Sequence, residues 1–163
     1  GLKSFVFLSV FKWGYRKGYD ILLKAFMEEF SAEDDASLLI VSRTDVNHEP
    51  DKIAREFKGI RSGIAKDDAD LPHVALFDKP VKEKDMPRIY AAGNAFVLIS
   101  RGEGFGLPYY EAGASGLPVI GSNCSGQREL LAEDNSCLVG IFYYLYNFQY
   151  IKILNDCWMN FII

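Results

Sequence analysis

The sequence predicts a single α/β domain built on a doubly wound parallel sheet. Strand-like and helix-like segments alternate from residue 5 to about residue 139. The strand-like segments are apolar throughout, which is typical of strands that helices cover on both faces. With 163 residues, the chain is long enough for one domain and too short for two ordinary ones. Such sheets bind ligands at the carboxyl ends of their strands, so the loops there are the candidate sites.

Six segments are predicted as strands because they are short apolar runs rich in strand-forming residues. In chain order they cover residues 5–10, 37–41, 74–77, 95–100, 118–121 and 136–139. Five helices are predicted between these strands. In chain order they cover residues 20–30, 49–62, 84–92, 108–115 and 127–132.

Three kinds of signal in the sequence predict these helices. Leu22 and Phe26 belong to an apolar face at helical spacing in the first helix, whereas the second is polar with a narrow apolar stripe. Pro87 and Pro108 lie in the first turns of the third and fourth helices, where proline is tolerated. Gly116 ends the fourth helix.

Residues 141–163 depart from this pattern. They contain eight aromatic residues and five isoleucines but no Gly, Ala, Pro, Arg or Val. We interpret residues 1–140 as the folded domain and the tail as a non-native end. A membrane-seeking segment is the alternative, although polar residues interrupt the tail too often for a comfortable membrane span. The chain begins without Met or a signal-peptide pattern, which indicates a piece of a longer protein.

The charge balance argues against several classes of function. Lys and Arg total 18 against 22 Asp and Glu, a net charge of −4 with no basic block, so a nucleic-acid binder is not expected. Two histidines and three scattered cysteines form no metal-ligand pattern, so we expect no bound metal and no cofactor. The sparse, odd set of cysteines suits a reducing compartment, and we expect a cytoplasmic protein.

The strongest chemical signal follows the fourth predicted strand, where residues 100–112 read SRGEGFGLPYYEA. The glycines let the backbone turn tightly and approach a ligand. The helix that follows directs free amides at the cleft, which is a geometry that binds phosphate. Glu103 in the loop and Glu111 in the helix can accept hydrogen bonds from sugar hydroxyls. Ordinary solvated carboxylates are the alternative interpretation.

Arg16 and Lys17 follow the first strand and point at the same cleft. Arginine offers phosphate oxygens a planar fork and lysine a point charge. A solvated basic pair is the alternative, but opposite the glycine-rich loop the two cations predict a two-sided diphosphate clamp. Glu129, in the fifth helix near the same edge of the sheet, is a weaker candidate.

These blocks resemble the glycosyl transferases group 1 (family 4), retaining enzymes with two Rossmann-like domains. The resemblance covers about residues 5–139 and lies in the C-terminal, donor-binding half of those enzymes. It rests on the blocks EGFGLPYYEAGASGLPVIGS, SVFKWGYRKGYDILLKAF, IYAAGNAFVLIS and SGQRELL. It implies a Rossmann-like fold, glycosyltransferase activity of the hexosyltransferase type, and a missing N-terminal acceptor-binding domain. An isolated half is then expected to be poorly active.

The resemblance also implies roles for the matching residues. Glu103 is implied to contact the transferred sugar, and Glu111 to hold the ribose of the nucleotide. Lys17 and Arg16 are implied to neutralise the diphosphate leaving group. The backbone amides implied to receive the sugar and the diphosphate are those of Gly104, Phe105, Gly106 and Leu107. Lys12 stands where many members carry an arginine, and it is a weak substitute.

The function implied is binding of a nucleotide-activated sugar, with UDP or GDP as the nucleotide, for retaining and metal-independent transfer to an acceptor. One alternative is a non-catalytic module that binds a nucleotide or sugar phosphate. Another is half of a sugar-nucleotide epimerase. The presence of both Glu103 and Glu111 favours the transferase. Membrane contact is expected only if the tail is native.

Overall fold

A computed structural model describes residues 1–43 and 51–140 of the chain. Within them the strands are β1 (Phe5–Lys12), β2 (Ala36–Arg43), β3 (His73–Phe77), β4 (Ala95–Leu98), β5 (Val119–Ser122) and β6 (Cys137–Val139). The α-helices are α1 (Tyr19–Glu29), α2 (Lys52–Ser62), α3 (Met86–Tyr90) and α4 (Leu107–Ala114). Short 3₁₀ helices cover Tyr15–Lys17, Glu83–Asp85 and Ser125–Glu129. The predicted tail, residues 141–163, lies outside the described residues, as does the predicted start of the second helix.

The strands form one six-stranded sheet in the order β3-β2-β1-β4-β5-β6, and every neighbouring pair is parallel. This is the strand order of a doubly wound dinucleotide-binding sheet. The chain winds outward in one direction from β1 and in the other from β4. The predicted fold class, a Rossmann-like α/β domain, is therefore confirmed, and the point of reversal lies between β1 and β4.

Helices cover both faces of the sheet. Phe7 packs against Phe26 of α1 at a ring-centroid distance of 5.9 Å. On the opposite face, Phe96 packs against Tyr109 of α4 at 5.7 Å. These rings are almost wholly buried, and each buried side chain of this size contributes about 1.5–3 kcal/mol to folding. Apolar contact on both faces explains why the strands lack a polar alternation.

Two predicted helices are shorter than expected. The third is a 3₁₀ turn followed by the five-residue α3, and the fifth is the 3₁₀ helix Ser125–Glu129. The chain turns after α3, and in this turn Gly93 packs closely on β1, where an added Cβ would lie 2.8 Å from Leu8 Cβ. The fifth is hydrogen-bonded to the loop after β4, through Ser125 Oγ and the Gly126 amide.

The cysteines differ from the expectation. Cys124 is a free thiol, whereas Cys137 is disulfide-bonded. Disulfide pairing depends on which thiols the fold brings together, and a count of cysteines does not contain that information. The cysteines therefore give no support to the reducing compartment that their number suggested. Within the two described ranges, no helix has the length and apolar character needed to cross a membrane.

Candidate functional site

Two loops meet where the winding of the sheet reverses. The β1 loop (residues 13–18) and the β4 loop (residues 99–106) leave the carboxyl ends of the two central strands. The Arg101 amide donates to the carbonyl of Arg16 at 2.8 Å, and the Ser100 hydroxyl donates to the same carbonyl at 3.1 Å. The loops are therefore joined beside the crevice in which sheets of this kind bind ligands.

The side chain of Arg101 fixes the two loops further. Its guanidinium binds the Asp20 carboxylate through two hydrogen bonds, Nη1–Oδ1 at 2.8 Å and Nη2–Oδ2 at 2.7 Å. The same group lies 3.8 Å from the centroid of the Tyr15 ring and donates to the Tyr15 carbonyl at 2.6 Å. A bidentate, stacked arginine has a defined orientation that a solvated charge lacks. Arg101 therefore holds the β1 loop and the start of α1 in register with the β4 loop.

The close approach of the loops requires glycine at residue 18. Gly18 has φ 67°, in the left-handed region, and is the first residue before α1. A Cβ at this position would overlap the backbone carbonyl of Ile99. Any other residue would have to push the two loops apart.

The predicted clamp residues come together at this junction. Lys17 Nζ lies 2.7 Å from Oε1 and 2.8 Å from Oε2 of Glu103, and Arg16 Nη1 lies 3.1 Å from Oε2. Arg16 also donates to the carbonyl of Gly102. The side chains of Lys17 and Glu103 are 11% and 6% exposed, whereas that of Arg16 is 59% exposed. The carboxylate of Glu103 thus pairs with the two cations that the sequence assigns to a diphosphate.

Glu103 is ionised at neutral pH. Burial raises the pKa of its carboxyl, but hydrogen bonds from Lys17, Ser100 and Arg16 outweigh burial and hold that pKa below its ordinary value. The pairing therefore stabilises the folded loops above the ordinary pKa of a glutamate. That stabilisation is lost as the pH falls through the lowered pKa.

The β4 loop is also held from its other side. The backbone amide of Glu103 donates to Ser125 Oγ at 2.8 Å, and Ser125 Oγ lies 3.1 Å from Gln127 Oε1. The fully buried side chain of Gln127 anchors this chain by donating to the Ser122 carbonyl at 3.1 Å. Sequence patterns pointed instead to Glu129, which is exposed. The signal for Gln127 was its place in SGQRELL, directly after the small residues Ser125 and Gly126.

The start of α4 faces the same crevice. Gly106 precedes the helix with φ 78°, and Pro108 lies in its first turn, as the sequence predicted. Within the described residues, four consecutive amides donate to no backbone carbonyl, those of Gly104, Phe105, Gly106 and Leu107. These donors, together with the positive end of the helix dipole, form a region suited to an anion.

Glu111 lies one turn into α4 and is separated from Glu103. It is exposed, and its Oε2 accepts a hydrogen bond of 2.6 Å from the Tyr90 hydroxyl. Burial, then the bond to Glu111, raises the pKa of the Tyr90 phenol far above its ordinary value. Tyr90 therefore remains a hydrogen-bond donor to Glu111 at any working pH.

A cleft of about 450 Å³ opens beside Glu111. Its lining includes the end of β1 with Lys12, the start of α4 with Leu107, and the segment before α3. Lys12 therefore shares a cleft with Glu111 and not the cluster around Lys17. The volume is in the range of ligand pockets.

An acidic Asp-x-Asp string that the sequence predictions did not consider lies away from the crevice. It consists of Asp68 and Asp70, whose carboxylates belong to a residue type that binds metals. They precede β3 and so lie at the amino end of a parallel strand, whereas the crevice is at the carboxyl ends. Asp68 Oδ1 is paired with Arg61 Nε at 2.9 Å. No group of three or more potential metal-ligating side chains occurs in residues 1–43 and 51–140.

Several solved structures share this fold. The GtfA/B complex has a TM-score of 0.72 at 23% identity, covering 99% of this chain and 29% of that chain. Anabaena Alr3699/HepE in complex with UDP-glucose has a TM-score of 0.71 at 22% identity, covering 94% and 38%. The C-terminal domain of the glycosyl transferase group 1 family protein LpcC from Francisella tularensis has a TM-score of 0.66 at 19% identity, covering 95% and 86%. At these identities the likeness establishes the fold.

Curated relatives are similar in sequence over most of the chain. Mannosylfructose-phosphate synthase from Agrobacterium fabrum is 31% identical over 121 residues, which are 74% of this chain and 26% of that protein. Spore coat protein SA from Bacillus subtilis is 30% identical over 146 residues, 86% of this chain and 36% of that protein. The chain thus spans only about a quarter to a third of the relatives that it matches.

The family described as Glycosyl transferases group 1 matches residues 3–141, which include the whole alternating α/β region. The match includes both loops of the crevice, and it agrees with the resemblance in the sequence blocks. The chain therefore belongs to the glycosyl transferases group 1 family.

Proposed function

We propose that this domain binds a nucleoside-diphosphate sugar as the donor for retaining, metal-independent transfer of the sugar to an acceptor. The observation that carries the proposal is the meeting of Lys17, Arg16 and Glu103 at the switch point of the sheet. Family membership supports it, and so does the structural neighbour in complex with UDP-glucose. UDP and GDP are the nucleotides that we propose.

Lys17 and Arg16 bind the diphosphate in this proposal. They lie at the carboxyl end of β1, opposite the free amides at the start of α4. Cations on one side and amides on the other suit the two faces of a diphosphate. The incoming phosphates compete with the Glu103 carboxylate, which pairs with both cations.

The same groups account for the chemistry. Transfer breaks the bond between the anomeric carbon of the sugar and a phosphate oxygen, and the electron pair leaves with the nucleoside diphosphate. Fixed cations and amides stabilise the negative charge as it develops on that oxygen. This arrangement supplies the charge stabilisation for which other transferases use a metal ion. We assign no residue as a covalent nucleophile.

The two glutamates have separate tasks. Glu103, once its cations bind phosphate, is free to accept hydrogen bonds from hydroxyls of the transferred sugar. Glu111 lies beside the 450 Å³ cleft and accepts hydrogen bonds from the ribose, while the cleft itself takes the rest of the nucleoside. Lys12 lines that cleft and contacts the nucleoside side of the donor.

The acceptor is bound elsewhere in the whole protein. The curated relatives are about three to four times longer than the part that this chain matches. We propose that their remaining length supplies an acceptor-binding domain, and that the crevice described above faces it. An isolated donor half is then expected to transfer sugar slowly even when it binds the donor.

Substitution of each glutamate tests this division of tasks. Glu103→Gln removes the carboxylate that competes for Lys17 and Arg16, so we expect unchanged or several-fold tighter binding of UDP or GDP. The ratio of the affinity for the matching nucleotide sugar to the affinity for free nucleotide should be lower in this variant than in the unsubstituted chain. Glu111→Ala should weaken both ligands, by about tenfold or more, because a charge-assisted hydrogen bond is lost.

Calorimetric titration of the full chain with each ligand measures these affinities. Unfolding curves serve as the control that both variants remain folded. If the two substitutions reduce the affinities for free nucleotide and nucleotide sugar by the same factors, the assignment of separate tasks is wrong.

A further inference from the structure

The hydroxyl of Tyr90 joins the end of α3 to Glu111 on α4. Tyr90 is 2% exposed, and its hydroxyl donates to Glu111 Oε2 at 2.6 Å. From the described part of the chain, Glu111 Oε1 receives no hydrogen bond. One carboxylate oxygen is therefore held by the protein, and the other is left for a ligand.

The ring of Tyr90 is fixed by its surroundings. The chain turns immediately after α3, and Gly93 allows this turn to pack against Leu8 of β1. The amide of Gly93 donates to the Tyr90 carbonyl at 3.1 Å, and the Tyr90 ring lies 6.1 Å from that of Phe96. The hydroxyl therefore has a defined position, set by the central strands of the sheet.

Glu111 has no comparable restraint of its own. It is an exposed side chain with three rotatable bonds, and ordering such a side chain costs conformational entropy. A fixed donor removes part of that cost before a ligand arrives, which is the general benefit of preorganisation. Because burial keeps Tyr90 protonated, the donor is present across the working pH range.

We propose that Tyr90 is a positioning residue that makes the site selective for ribose over deoxyribose. By holding Oε2, it directs Oε1 of Glu111 at the ribose hydroxyls. This inference rests on the proposed function, since it needs a nucleotide whose ribose contacts Glu111. Tyr90 itself does not touch the ligand.

The test compares ribonucleotides with deoxyribonucleotides. The full chain is titrated with UDP, GDP and ADP, and then with the 2′-deoxy form of whichever binds most tightly. We expect the unsubstituted chain to prefer the ribonucleotide by about tenfold or more, as for a charge-assisted hydrogen bond. Tyr90→Phe keeps the ring but removes the hydroxyl, and it should reduce this preference several-fold. Combined with Glu111→Ala, Tyr90→Phe should produce no further change in the preference.

Tyr109→Phe is the matched control. Tyr109 is also buried, and its hydroxyl donates to the Leu98 carbonyl at 2.6 Å, away from Glu111. Loss of this hydroxyl should lower stability and leave the ribose preference unchanged. A merely structural role for Tyr90 would make the two variants behave alike.

Two outcomes overturn the inference, and they differ in whether the role proposed for Glu111 fails with it. If Glu111→Ala abolishes the preference while Tyr90→Phe retains it in full, the positioning role is wrong and the proposed function stands. If the unsubstituted chain binds no nucleotide, or Glu111→Ala leaves the preference intact, the inference fails together with the role proposed for Glu111.

Discussion

Gly18→Ala is expected to lower the free energy of unfolding by about 2–5 kcal/mol. A left-handed backbone costs about 1–2 kcal/mol for a residue with a Cβ, and forced overpacking costs about 1–3 kcal/mol more. Both penalties apply here, since Gly18 has φ 67° and its added Cβ would overlap the carbonyl of Ile99. We also expect weaker nucleotide binding, because relief of the overlap moves the β1 loop away from the β4 loop.

Urea unfolding of the two chains measures the difference in stability. Gly113→Ala is the control, because Gly113 lies within α4 and an added Cβ there meets nothing within 4 Å. That substitution should leave stability unchanged or raise it by up to about 1 kcal/mol. A Gly18→Ala variant as stable as the control would show that the loops do not approach each other as described.

Lys17→Ala is expected to reduce the affinity for a nucleoside diphosphate by about 10- to 150-fold. This range corresponds to the loss of a charge-assisted hydrogen bond of about 1.5–3 kcal/mol. The side chain of Lys17 is only 11% exposed, so solvent screens its charge weakly. Arg16→Ala should have a smaller effect, because its side chain is 59% exposed.

Calorimetry with the tightest-binding nucleotide checks the effect of Lys17→Ala. Lys24→Ala is the matched control, since it removes the same charge from α1, where Lys24 Nζ lies 3.7 Å from Glu28 Oε1. The control should leave nucleotide affinity unchanged. Equal losses from both substitutions would mean that Lys17 acts only through the net charge of the domain.

The fold was predictable from local pattern. Strands such as β1 and β4 are apolar because helices cover both of their faces, and this burial is visible directly in the sequence. Helix lengths were less predictable where distant contacts decide them. The turn after the third helix packs Gly93 against Leu8, a contact that no local pattern contains. The 3₁₀ helix Ser125–Glu129 is likewise bonded to the distant β4 loop.

The site was predictable where one motif holds its residues together. Glu103, Glu111 and the α4 amides lie in one continuous stretch, and Arg16 and Lys17 in another. The partners of these residues were not predictable. In the sequence, 81 residues separate Arg101 from Asp20, and 21 separate Tyr90 from Glu111.

The pairing of Glu103 with the two cations was missed for a different reason. Glu103 and the two cations were all identified in the sequence, but each was assigned to a ligand. A buried carboxylate needs a counter-charge, and Lys17 Nζ lies 2.7 Å from Glu103 Oε1. The charges that we propose for a diphosphate therefore also pair within the protein.

We propose that the crevice binds a nucleoside diphosphate with its own cations and amides. The most direct test is calorimetric titration of the full chain with UDP, GDP and ADP, with and without a chelator of divalent metals. We expect saturable 1:1 binding of at least one of the three, with an affinity that the chelator leaves unchanged. Binding that appears only when magnesium or manganese is added, or no binding of any of the three, would contradict it.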